Sequence, residues 1–283
     1  MSALIKRTMK LYFRDKASVF FSLFAVLIIV GMYVLFLGDV WTQEMEFENP
    51  KTVMDSWIMA GLLAVVTLTT TMGAFGIMVE DRHNKISKDF YSSPVSRSRL
   101  AGGYIIGAYF IGVIMSVLTF IVTQVYLTAN GADFPDAEMI LKVLGIILLS
   151  AFTNTAFLFF IVSFLKSQNA FGTASSIIGT LVGFLTGIYM PIGILPEAVQ
   201  IIVKAFPPSH AATMFRRVLM EPMIKDAFEG APAGAREEFS EQMGITLTWA
   251  GESIQPWVSI IILIAAGFLF YALSVINISR KSR

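Results

Sequence analysis

Six stretches of this 283-residue chain run for about the length of a bilayer crossing without a single charged side chain: roughly residues 19–37, 57–79, 100–128, 143–165, 170–195 and 257–279. A hydrocarbon core of ~30 Å needs about 20 apolar residues in a helix, because lipid offers backbone N–H and C=O groups no other partner. With 55% hydrophobic and only 14% charged residues, the chain has too little polar material to coat a water-soluble globule. The sequence therefore predicts an all-α polytopic membrane protein with six transmembrane helices, folded as a single transmembrane domain over residues 1–283. The first apolar run exceeds the ~7–15 residues of a secretory signal core, so it is expected to be retained as a span.

Charge on the connecting segments sets the orientation. The two termini and the second and fourth loops hold 14 of the 21 Lys and Arg residues, whereas the first loop is acidic (Asp39, Glu44, Glu46, Glu48, Asp55). By the positive-inside rule both termini are expected in the cytoplasm of a multi-pass cell-membrane protein. The net charge of +1 gives no pull toward nucleic acid. The chain has no Cys, which excludes disulfides and thiolate chemistry. It also has no G-x-x-x-x-G-K-[ST] phosphate loop, and its two histidines, His83 and His210, lie in different loops, so no catalytic residues are assigned and no metal site is expected. No cofactor is expected in the chain itself.

Three segments outside the spans carry pattern. Before span one, Ile5, Met9, Tyr12 and Phe13 recur at helical spacing opposite Lys6, Lys10 and Arg14, which fits either a surface-lying amphipathic helix or a charged topogenic leader. Residues 80–91 of the second loop fit a short separate helix, with Asp81/Lys85 and Lys85/Asp89 as i,i+4 pairs and Ile86/Phe90 as an apolar pair. Ser92-Ser93-Pro94 stops it, and Ser93-Pro94 or Ser96 starts the next helix. An apolar pair among charges suits a protein surface that accepts it better than a solvated turn. After span five, Pro191 and Pro196 break the helix and residues 197–206 form an apolar stretch too short to cross, which suits a re-entrant or interfacial piece before the last helix. The wider segment 196–256 reads as extracytoplasmic.

Within the spans, Ser175, Gly179, Gly183 and Gly187 place a small residue at every fourth position, a stripe for close approach by a second subunit or a neighbouring span; Gly103 and Gly107 repeat it weakly. Thr67, Thr71, Phe75 and Asn154 are candidates to line a substrate path. No Asp, Glu, Arg or His lies within a span to bind a coupling ion, so the energy for any uphill transport must come from elsewhere.

Taken together, the chain resembles the permease subunits of type-2 ATP-binding-cassette (ABC) exporters along essentially its whole length. The likeness rests on the basic amphipathic start, on Glu80, Arg82 and the run Ser93-Pro94-Val95-Ser96-Arg97, and on Pro191, Leu195-Pro196, Phe206-Pro207, His210 and Arg216. The resemblance implies that residues 1–18 form an elbow helix. It also implies that residues 80–91 form a coupling helix docking into a separate ABC ATPase subunit, which binds ATP and Mg. Glu80, Asp81, Arg82, Lys85, Ile86, Lys88 and Phe90 would be the contacts. A second permease copy or homologue would pair with this one, with spans two and five along the central path, and membrane lipid would surround both. The expected cargo is amphipathic or lipophilic: a drug, a peptide or a lipid-like molecule. The alternatives are a non-transporting scaffold, sensor or immunity protein, or a secondary carrier.

Overall fold

In the computed structural model, the described residues are 1–32, 50–86, 90, 96–165, 167–249 and 251–281. In chain order they form α1 (Ser2–Arg14), α2 (Lys16–Met32), α3 (Pro50–His83), α4 (Arg97–Ala129), α5 (Ala137–Phe164) and α6 (Gln168–Leu185). A 3-10 turn (Ile192–Ile194) leads to α7 (Glu197–Ala205), α8 (Pro207–Ala227) and α9 (Ala235–Gln242). A two-residue hairpin, β1 (Thr248–Trp249) and β2 (Glu252–Ser253), precedes α10 (Pro256–Lys281).

Among the described residues four helices are long and apolar enough to cross a membrane: α3, α4 from Ser98, α5, and α10 as far as Asn277. The described part of α2 ends at Met32, so the rest of the expected first span lies outside the described residues. Span five, expected to reach residue 195, ends as a helix at Leu185. Gly187 then adopts φ +70°, a left-handed turn that glycine adopts without steric cost and that cannot continue the helix.

Local chemistry sets the helix starts. Ser96 accepts a hydrogen bond from the backbone N–H of Arg99, Asp136 from that of Met139 and Ser167 from that of Ala170, each satisfying an orphan donor of the first turn. Pro196 and the Pro207-Pro208 pair bound α7 as a nine-residue helix.

The expected exterior segment after residue 206 is corrected in part. Helix α8 is core: Ala211, Ala212, Phe215 and Leu219 interlock with Ala60, Leu63, Val143, Ile146 and Leu263 from α3, α5 and α10. The apolar residues recur every fourth position, and Arg216, Arg217 and Glu221 between them conceal the stripe from a search for uncharged runs. The His210 ring bridges the Lys204 carbonyl (2.9 Å) and the Ser259 hydroxyl (3.1 Å), joining α7, α8 and α10.

Polar side chains cross-link the long helices where lipid supplies no hydrophobic drive. Thr67 and Ser116 share a hydrogen bond of 2.8 Å between α3 and α4. Thr153 donates to the Leu263 carbonyl, and Asn277 to the Ser163 hydroxyl at 2.6 Å, so α5 and α10 run parallel.

Candidate functional site

The site begins with one carboxylate. Asp81 sits in the last turn of α3 and is 3% exposed. Both Arg7 guanidinium nitrogens donate to it, at 2.6 and 2.8 Å, and the Tyr104 hydroxyl donates to the same Oδ2. A bidentate, charge-assisted pair is among the strongest polar contacts a protein makes. The hydrogen bond to Asp81 raises the Arg7 pKa above its ordinary value, so the guanidinium keeps its charge. Helices α1, α3 and α4 are thereby pinned to one another at one end of the bundle.

Glu80–His83 are the last residues of α3, so no separate helix starts at Glu80. Helix α3 runs on to His83, which rotates Asp81 inward to Arg7 and Tyr104 instead of outward to Lys85. Lys85 follows with φ +62°, a left-handed conformation that is uncommon without glycine and that breaks any i,i+4 geometry. Asp81 is thus an internal anchor, whereas Glu80, Arg82 and Lys85 are exposed beside it and Ile86 is half-buried. Phe90 is half-buried, packs against the main core cluster and lies under the Arg7 guanidinium, 5.4 Å from its ring centroid. Lys88 and the Ser93-Pro94-Val95 run lie outside the described residues.

Helix α1 has the form expected of an amphipathic helix, and its seat is specific. A Cβ on Gly103 would come within 2.7 Å of Leu4, and one on Gly107 within 2.9 Å of Thr8. The stripe on α4 that looked the weaker in sequence is the one that seats a helix. On α6, by contrast, Gly179 faces open space, Gly183 lies under the Tyr189 ring, Gly187 belongs to the terminal turn, and Ser175 is half-buried. Helix α6 packs instead through Phe171, Ala174, Ile178 and Val182.

The four proposed path residues all lie in the interior of the single chain. Thr67 and Thr71 donate to the carbonyls of Leu63 and Thr67, Phe75 stacks on Phe159 with centroids 5.9 Å apart, and Asn154 donates to the Ser150 hydroxyl. Farther along α3, Gly73 and Glu80 are exposed, whereas Thr69 and Gly76 are half-buried, Gly76 beside the Phe171 ring.

A second constellation, at the other end of α3, escaped the sequence reading except for Arg216 and, as a packing residue, Gly187. That arginine is 0% exposed, donates to the Gly187 carbonyl at 2.9 Å and stacks on Trp57 at 4.7 Å. Its Nε and Nη1 meet no acceptor among the described residues. Trp57 donates to the Met243 carbonyl at 2.7 Å, so one Arg–Trp stack holds the turns at 187 and 243 against α3. An aromatic facing an arginine 159 positions away leaves no mark on local periodicity.

The geometry is that of a membrane bundle with one polar anchor at each end of its longest buried helix. Comparison with known proteins gives the same class. The chain is 26% identical over 167 residues to the linearmycin resistance permease protein LnrN of Bacillus subtilis (strain 168). That match covers 56% of this chain and 40% of the relative's length. The family profile described as ABC-2 family transporter protein matches residues 39–276. Because that match takes in most of the bundle and both anchors except α1, the chain belongs to the ABC-2 transporter family as a membrane permease.

Proposed function

We propose that this chain is the six-span permease subunit of an ABC exporter of the cell membrane. It has both termini in the cytoplasm, carries an elbow helix (α1) and a re-entrant α7–α8 segment, and is paired with a second permease copy or homologue. It is driven by ATP hydrolysed on a separate ATPase subunit. The observation that carries this reading is the Arg7–Asp81–Tyr104 knot directly beside the exposed Glu80, Arg82 and Lys85. A push delivered to that surface is transmitted at once to α1, α3 and α4, whose side chains are too densely packed to absorb it locally.

The contacts toward the ATPase would be Glu80, Arg82, Lys85, Ile86, Lys88 and Phe90, with Asp81 as their anchor. Spans free of charge favour an amphipathic or lipophilic cargo, since desolvating an unpaired charge is costly. The relative named for linearmycin resistance is compatible with outward transport. Thr67, Thr71, Phe75 and Asn154 would reach a path only if α3 and α5 separate during the cycle.

The test is reconstitution in proteoliposomes with and without the co-expressed ATPase. ATP-dependent accumulation that needs both chains is expected. Uphill transport by the permease alone, driven by an ion gradient, would overturn the proposal.

A further inference from the structure

Two adjoining cavities at the end of the bundle opposite α1 share three charged residues. The first is a groove of about 970 Å³ between the first turns of α5 and α10 and the side of α8. Gly145, Ile146, Leu149, Met214, Val218 and Ile260 form its apolar walls. The second is a polar pocket of about 420 Å³ bounded by α8, α9 and the β hairpin, with Glu237 and Glu241 in its lining. Arg217, Glu221 and Arg236 line both.

The charges at the junction are unevenly matched. Arg236 pairs with Glu221 at 2.8 Å and Lys142 with Glu138 at 2.6 Å. Arg217 has no carboxylate within ion-pair distance among the described residues, and Glu237 and Glu241 have no cation. Glu241 only accepts from the Thr248 hydroxyl. One half-buried guanidinium thus stands at the mouth of an apolar trough, with two uncompensated carboxylates beyond it.

The trough lies where α5 and the membrane-crossing part of α10 begin, which is a bilayer interface. Its flanks carry Leu141 at 69% and Ile261 at 53% exposure, surfaces suited to lipid chains rather than water. Its floor is open at Gly145, where an added Cβ would meet nothing within 4 Å.

We infer that this composite cavity binds a zwitterionic glycerophospholipid of the surrounding leaflet. One acyl chain lies along Gly145, Leu149 and Ile260, the phosphate sits on Arg217, and the ammonium is directed to Glu237 and Glu241. Charge order selects the zwitterion. A headgroup bearing only negative charge would satisfy Arg217 but leave both glutamates facing an anion, and a neutral lipid would leave Arg217 unmatched. The inference concerns a lateral site for a resident lipid, and it stands whether or not the proposed ATPase coupling does.

The test is native mass spectrometry of the full-length protein in mild detergent, titrated with dioleoyl phosphatidylethanolamine or dioleoyl phosphatidylglycerol. The wild type is expected to retain one molecule of the zwitterionic lipid in clear preference to the anionic one. Arg217→Gln removes the charge-assisted contact and is expected to weaken that binding about tenfold. Gly145→Leu puts a branched side chain where the acyl chain lies while favouring the helix, and is expected to weaken retention about tenfold with the melting temperature unchanged or raised. Equal retention of both lipids by the wild type, or undiminished retention by folded Gly145→Leu protein, would overturn the assignment; the former needs no variant to fold.

Discussion

Asp81 shows how much one side chain decides at the residue scale. Its carboxylate accepts from two arginine nitrogens and a phenol, so removing its charge leaves Arg7 and Tyr104 facing a poorer acceptor in a half-buried site. Asp81→Asn is expected to lower stability by about 2–3 kcal/mol. Arg7→Lys keeps a point charge but loses the fork, and is expected to cost about 1 kcal/mol. Thermal unfolding in detergent gives both values, and an Arg7→Lys variant as stable as the wild type would mean that the bidentate geometry contributes nothing. Arg216 is expected to behave in the opposite way. Two of its donors are already unsatisfied, so Arg216→Met, which keeps volume and removes a buried charge, is expected to change stability by less than about 1 kcal/mol. Arg216→Ala leaves a cavity beside Trp57 and is expected to cost about 3 kcal/mol. If Arg216→Met is as damaging as Arg216→Ala in the same measurement, the cation itself holds the turns at 187 and 243.

At the scale of elements, the seat of α1 on α4 is a packing of small residues against Leu4 and Thr8. Gly107→Leu suits α4 as a helix yet drives a branched side chain into Thr8, so α1 should be displaced while α4 stays intact. Hydrogen exchange is expected to show lost protection over residues 2–14 and none lost over residues 100–125. Gly179→Leu, at an open position on α6, is expected to leave the exchange of the single chain unchanged. The contrast also marks what the sequence could reveal. Uncharged length located α3, α4, α5 and α10, four of the six expected spans, and Ser96 marked the start of α4, because desolvating backbone and capping an orphan N–H are local demands. Which small-residue stripe receives a neighbour is not local. It depends on where α1 lies; on the more regular stripe of α6, Gly183 lies under a ring and Gly187 in a turn, while Gly179 stays open. Helix α8 was illegible for a related reason: Arg216 is buried and Arg217 and Glu221 face a cavity, so the apolar run that would have exposed it is interrupted.

On the scale of the whole molecule, α3 connects everything. At ~1.5 Å per residue its 34 residues span about 50 Å, well beyond a ~30 Å hydrocarbon core. It is anchored by Asp81 at one end and by Trp57 and Arg216 toward the other, with no charged side chain between Trp57 and Val79. A rigid rod held in this way has little means of storing energy and good means of passing displacement from one end to the other. The same residues explain why the Phe90 position matters under the proposed function. Its ring packs against the core and under Arg7, so a push on Phe90 bears directly on the anchor, whereas exposed Lys85 forms no ion pair with the anchor and would contribute only a rim charge. Exposed ion pairs are worth ~0–1 kcal/mol, so Lys85→Ala should reduce ATP-driven transport by no more than about fivefold. Truncating a packed aromatic at a contact costs more, and Phe90→Ala should reduce it by about tenfold or more with the permease still folded and inserted. Transport per ATP hydrolysed, measured in proteoliposomes containing both subunits, separates the two. A larger loss for Lys85→Ala would mean that charge at the rim, and not a packed ring, carries motion into α3.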